Sequence, residues 1–100
     1  MPASPKLFYR GAAETTNTTL YTVPASTTSV LTDIVISNVS STQQYITMTV
    51  DGINILPTIP VAGNTVINLQ PKTVMQTTKI LAGFATSTDV KFHISGVETT

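Results

Sequence analysis

Hydrophobic and polar residues alternate with a period of two along most of this chain. The two clearest stretches are residues 45–51 and 89–97, in which every second side chain is apolar. A period of two is typical of a β-strand that buries one face, and no long window shows the 3.6-residue period of a helix. The pattern therefore predicts an all-β protein. The inward positions that it predicts in these two stretches are Ile46, Met48, Val50, Val90, Phe92 and Ile94.

Residues 30–39 form the longest predicted strand, and this strand is apolar on both faces. The period of two places Val30, Ile34 and Ile36 on one face and Leu31, Val35 and Val39 on the other. A strand of this kind is typical of the middle of a packed structure or of an interface. Asp33 interrupts the run, and we expect its carboxylate to be exposed between neighbouring side chains or paired at a subunit contact.

Turn residues divide the chain into short strands. Asp51 and Gly52 separate two hydrophobic runs, and this dipeptide favours the type I′ turn of a tight hairpin. The sequence therefore predicts a hairpin that continues into a strand over residues 53–56. Pro57 and Pro60 have no backbone N–H, so the segment that contains them is expected at a sheet edge or in a loop.

The remaining predicted strands complete a small β-sandwich. They cover residues 19–23, 65–70, part of 73–82, and 89–97, with a loose segment over residues 83–88. About seven short strands with frequent turns indicate a single antiparallel β-sandwich, either Ig-like or jelly-roll-like.

The first seventeen residues differ from the rest, because they contain two prolines and have no regular period. They nevertheless hold three large apolar side chains between two basic ones. The predicted partner-binding residues are Lys6, Leu7, Phe8, Tyr9 and Arg10. Extended segments often bind by adding a strand to an exposed sheet edge. We therefore predict an extended N-terminal assembly arm over residues 1–17 and a β-sandwich domain over residues 18–100; the alternative is a disordered leader.

Composition argues against several classes of partner. Charged residues make up 10% of the chain and the formal net charge is zero, whereas nucleic-acid-binding proteins carry clustered Lys and Arg. No run approaches the eighteen or more apolar residues of a membrane span. A chain with so little charge repels its own copies weakly, which favours association. The N-terminus lacks a signal-peptide pattern, so synthesis in a cytoplasm is expected.

The sequence offers no recognisable catalytic or metal-binding motif. There is no cysteine, and the one histidine, His93, falls on the polar phase of its predicted strand without evident metal-ligand partners. No nucleophile motif surrounds any serine. We therefore expect a non-enzymatic protein that uses no cofactor and no metal.

The chain resembles a group of small virion proteins of tailed bacteriophages. The resemblance is carried by residues 6–13, 18–25, 30–38, 50–53 and 92–98. It implies a β-sandwich accessory component of the capsid or tail, present in many copies and without catalytic residues.

The expected function is that of a capsid decoration or cement protein, located in the virion and made in the cytoplasm of a host bacterium. It would bind other virion proteins and copies of itself as a homo-oligomer, without nucleic acid or membrane. One alternative is a small tail or fibre-base component. Another is an adhesion or carbohydrate-binding module with a pocket lined by Tyr21, Tyr45 or Phe84.

Overall fold

Nine β-strands connected by turns and loops make up residues 3–100, which are the residues that this computed structural model describes. The strands are β1 (Ala3–Ala12), β2 (Thr18–Thr22), β3 (Thr28–Asn38), β4 (Gln44–Val50), β5 (Ile53–Val61), β6 (Thr65–Leu69), β7 (Thr73–Met75), β8 (Ile80–Ala85) and β9 (Val90–Thr99). This region contains no helix that is long and apolar enough to cross a membrane.

The strands form two antiparallel sheets that pack face to face, which confirms the predicted β-sandwich. The five-stranded sheet has the order β1-β9-β3-β6, with β7 also paired to β3, and the four-stranded sheet has the order β2-β8-β4-β5. The pairs β1–β9, β2–β8, β3–β6/β7 and β4–β5 are nested like the two arms of one long hairpin. Further pairing of β9 with β3 and of β8 with β4 wraps this hairpin into a jelly roll.

One outer strand of the jelly roll is divided into β6 and β7. β6 pairs with the C-terminal half of β3 and β7 with its N-terminal part. Pro71 lies in the interruption, where it cannot donate a hydrogen bond, and Lys72 has a positive φ of 50°. The structure has two more strands than the seven predicted, because β1 was not predicted as a strand and because residues 73–82, predicted to hold one strand, contain β7 and the start of β8. The predicted loose segment over residues 83–88 is corrected in part, since β8 continues to Ala85.

The core consists of apolar side chains from both sheets. The largest fully buried ones are Val23, Leu31, Ile34, Ile36, Ile46, Met48, Val61, Met75, Leu81, Val90, Phe92 and Ile94. The inward sets predicted for residues 45–51 and 89–97 are thus largely confirmed, with Val50 partly buried against the core.

A β-bulge corrects the face assignment predicted for β3. The register against β9 shifts between Leu31 and Asp33, so the strand changes face there. Leu31 therefore lies in the core together with Ile34 and Ile36, although an uninterrupted period of two would separate them.

The predicted hairpin at Asp51 and Gly52 is confirmed. Val50 pairs with Ile53 across a two-residue loop, and φ is 54° at Asp51 and 76° at Gly52. Two positive φ values are what a type I′ turn requires.

The structure corrects the expectation of a separate N-terminal arm over the residues that it describes. Residues 3–12 form β1, which pairs with β9 over nearly its whole length and forms one edge of the five-stranded sheet. The following residue, Ala13, is fully buried, and its N–H donates to the Val90 carbonyl at 2.8 Å. A boundary after residue 17 would therefore remove a strand from the sandwich. Met1 and Pro2, which also belong to the predicted arm, lie outside the described residues.

Candidate functional site

Phe8 is a core residue of its own domain, so its predicted role as an anchor in a neighbouring subunit is corrected. Its side chain is 6% exposed, and its ring stacks on that of Tyr21 with 4.1 Å between centroids and 19° between planes. A Cβ added to Gly96 would lie 2.6 Å from the Phe8 ring and closer still to the Val30 carbonyl oxygen. The glycine therefore leaves the space that this ring fills.

Tyr9 is also held within the domain. It is half-buried, its ring meets Phe92 edge to face at 6.4 Å between centroids, and its hydroxyl donates to the Ala12 carbonyl at 2.7 Å. The bulge between Leu7 and Tyr9 lets Phe8 and Tyr9 both turn toward the interior.

A polar cluster closes the sandwich beside the Phe8 ring. The Tyr21 hydroxyl donates to the Glu98 carboxylate and lies 2.8 Å from the Ser29 Oγ. Burial, and then the hydrogen bond to Glu98, raise the pKa of Tyr21 to about 12. Tyr21 lies in the four-stranded sheet and Glu98 in the other, so the cluster connects the two sheets.

Two of the other three predicted residues, Leu7 and Arg10, project from the solvent-facing side of the five-stranded sheet, which we call the outer face. The third, Lys6, pairs with the core-facing Gly96 and is exposed at the edge of the sheet. Lys6, Leu7 and Arg10 border a shallow groove of about 450 Å³ that crosses β1, β9 and β3. Leu7 is 47% exposed although it is large and apolar. Asp33 lines the same groove from the β3 side, which places its carboxylate on this face.

An apolar row crosses the outer face next to this groove. Pro5 pairs with Val97, Val97 with Val30, and Val30 with Val74. Paired residues in adjacent strands project from the same side of a sheet. Val74 is 59% exposed, and Val30 and Val97 are half-buried, so the row is open to contact along its length.

The charges of the outer face have no ionic partners among the described residues. The one ion pair within residues 3–100 joins Lys79 and Asp51, 3.7 Å apart, at the hairpin end of the other sheet. Asp33 accepts hydrogen bonds from the Thr32 hydroxyl at 3.2 Å and from the Gln70 amide at 3.3 Å. Lys6 and Arg10 are exposed on β1, on the opposite side of β9 from Asp33.

The three aromatic residues proposed for a carbohydrate pocket do not all lie on one face. Tyr21 packs against the core, whereas Tyr45 is 40% exposed and Phe84 is paired with Thr47. A polar depression of about 410 Å³ lies on the four-stranded sheet, and no aromatic side chain lines it. Residues 3–100 hold no group of three or more His, Cys, Asp or Glu suited to a metal ion.

Comparisons of the chain with protein-family models, with curated proteins and with solved structures found no match.

The apolar row was not evident from the sequence. Its four members come from four strands that are distant in the sequence, and only the register brings them into line. One feature of the sequence did point to this surface. The predicted strand over residues 30–39 is apolar on both faces, and this indicated either the middle of the structure or an interface.

Proposed function

We propose that this protein is a non-enzymatic structural component of a bacteriophage virion, an accessory decoration or cement protein that binds the assembled capsid as a homo-oligomer. The observation that carries the proposal is the outer face of the five-stranded sheet, where an apolar row lies open beside charges that have no ion-pair partner among residues 3–100. Such a surface suits contact with another protein, since exposed apolar patches often mark interfaces.

Two further properties support the proposal. Jelly-roll sandwiches occur in viral capsid proteins, although a fold alone does not determine function. The formal net charge of zero lets many copies lie close together on a particle without strong mutual repulsion.

The mechanism follows from mass action. A subunit that binds only the assembled shell stabilises each site by about 2.7 kcal/mol when its free concentration is a hundred times its dissociation constant. Repeated over many symmetric sites, this modest term strengthens the whole particle.

The test is quantitative mass spectrometry of particles purified from the bacteriophage or prophage whose genome encodes the chain. We expect hundreds of copies per particle, measured against the major capsid protein, with a non-structural protein of the same phage as the control for carry-over. A handful of copies would indicate a tail or fibre-base component instead. Absence from the particles would contradict a role in the virion.

A further inference from the structure

We infer that the solvent-facing side of the four-stranded sheet binds an uncharged glycan, with one part of the glycan seated in the polar depression of about 410 Å³ on that sheet. The inference goes beyond the proposed function and does not depend on it, because this side of the sandwich is opposite to the outer face. We call it the threonine face. Its members are outward side chains of three adjacent strands, β2, β8 and β4, namely Thr19, Tyr45, Thr47, Thr49, Ala82 and Phe84.

The first argument is the shape of this surface. Thr19 pairs with Ala82, and Ala82 pairs with Thr49, so the three side chains project from the same side of the sheet. The short Ala82 side chain, which is 8% exposed, stands between two longer ones and leaves space there, and all three residues line the depression. The volume of the depression lies within the range of about 300–1,000 Å³ that small-molecule sites span. A concave surface of this size fits a sugar better than it fits a flat protein surface.

The second argument is the chemistry of the lining. The hydroxyls of Thr19 and Thr49 and the side-chain amide of Asn17 line the depression, and these groups donate and accept hydrogen bonds as sugar hydroxyls do. The only charged residues in the lining are Lys79 and Asp51, which form an ion pair with each other.

The threonine face is also uncharged beyond the depression. The four strands of its sheet, β2, β4, β5 and β8, contain no charged residue. Nucleic acids are held by clustered Lys and Arg, and acidic glycans carry charge of the same sign. This surface therefore favours a ligand that is rich in hydroxyl groups and has no net charge.

The third argument is a pair of aromatic rings next to the depression. Phe84 is the next outward residue after Ala82 along β8, and it pairs with Thr47. Tyr45 is the next outward residue after Thr47 along β4, and it is 40% exposed. Outward residues of one strand are about 7 Å apart, so the rings continue the surface that begins at the depression. The C–H groups on one side of a sugar ring pack well against an aromatic ring, and an extended glycan that leaves the depression along β8 reaches both rings.

The test is an NMR titration of the isotope-labelled full chain with uncharged oligosaccharides. The probes are oligomers of glucose, galactose, mannose and N-acetylglucosamine, each taken to millimolar concentration. We expect at least one probe to shift the amide signals of Thr19, Thr49 and Ala82 progressively, while the signal of Val97 on the outer face stays unchanged.

Two variants test the two parts of the site. Thr49→Val keeps the shape of the side chain and removes its hydroxyl, and it should raise the dissociation constant of the tightest probe about three- to tenfold. Phe84→Leu keeps an apolar side chain and removes the ring, and it should have an effect of similar size. The matched control is Thr28→Val, because Thr28 is an exposed strand residue of the other sheet, and this variant should bind like the wild type. Circular dichroism of each variant checks that the sandwich is folded.

The absence of shifts on the threonine face with every probe would overturn the inference. Shifts that only a charged oligogalacturonate produces would also overturn it, and so would binding that Thr49→Val and Phe84→Leu both leave unchanged. The titration does not involve particles, so the glycan site and the role in the virion can fail separately.

Discussion

At the scale of single residues, the contrast between Leu7 and Phe8 carries most of the information about the N-terminal segment. The two are neighbours in the chain, yet Leu7 is 47% exposed and Phe8 is 6% exposed. An apolar triplet in an irregular leader indicated a contact with another subunit, and the structure divides it between the outer face and the core. Leu7 and Phe8 are divided in this way because adjacent residues of a strand project from opposite sides of the sheet.

Phe8→Ala should therefore lower the free energy of unfolding by about 3–5 kcal/mol, which is the usual loss for a large buried ring. Leu7→Ala is the matched control and should change the free energy of unfolding by less than about 1 kcal/mol, since surface substitutions have small effects. Urea denaturation followed by circular dichroism measures both. Equal, small effects would mean that the Phe8 ring does not belong to the core.

Tyr21 makes the stability of the fold depend on alkaline pH. The phenol of an unfolded chain loses its proton near pH 10.0, whereas burial and the Glu98 carboxylate raise the pKa of Tyr21 to about 12 in the folded protein. The unfolded state therefore binds fewer protons between these two values, and stability falls as the pH rises through this window. Below pH 10 the contribution of Tyr21 is complete.

Tyr21→Phe should reduce this decline and should also lower the free energy of unfolding at neutral pH by about 1–3 kcal/mol, because the buried Ser29 and the half-buried Glu98 lose the hydroxyl as a hydrogen-bond partner. Urea midpoints measured from pH 7 to the alkaline limit would show both effects. Tyr45→Phe is the control, since Tyr45 is exposed and its hydroxyl accepts only from the Gln43 amide, at 2.9 Å, among residues 3–100. Parallel pH profiles for the wild type and Tyr21→Phe would contradict the assignment.

At the scale of elements, the elements that the sequence predicted well are those specified by local interactions. The β4–β5 hairpin was predicted because a two-residue turn determines its own register, and the inward set of β9 was predicted because its alternation is uninterrupted. β1 was missed because its first five residues are all exposed and a bulge breaks its period. The faces of β3 were also misassigned because a bulge breaks the period of that strand.

Gly52→Ala tests the hairpin as an element. No atom outside the neighbouring residues lies within 4 Å of a Cβ built at Gly52, so any loss of stability comes from the left-handed backbone and not from a clash. We expect a loss of about 1–2 kcal/mol, which is the penalty for an L-residue in that region. Asp51→Asn is the control, because asparagine favours positive φ in this turn. Thermal denaturation of the two variants gives the comparison, and an unchanged Gly52→Ala would argue against a type I′ turn.

At the scale of the whole molecule, the class of the fold followed from the sequence and its topology did not. Composition and short alternating runs were enough to predict an antiparallel sandwich. The choice between the Ig-like and the jelly-roll arrangement depended on pairings such as β1 with β9, which join residues from opposite ends of the chain. The candidate site was predicted to the same extent. Leu7 and Arg10 were found through their local composition, whereas their position on the same face as Asp33 and Val97 follows only from the register between strands.

The pairing of the first strand with the last has a consequence for how the domain is attached to anything else. Ala3 lies opposite Thr99, so polypeptide added before the one and polypeptide added after the other emerge from the same corner of the sandwich. Tags or additional domains placed at both termini would crowd each other there and leave the opposite end, with the loops that follow β3 and β8, unobstructed. A short peptide bridge between the two termini would close the chain into a ring without disturbing either sheet.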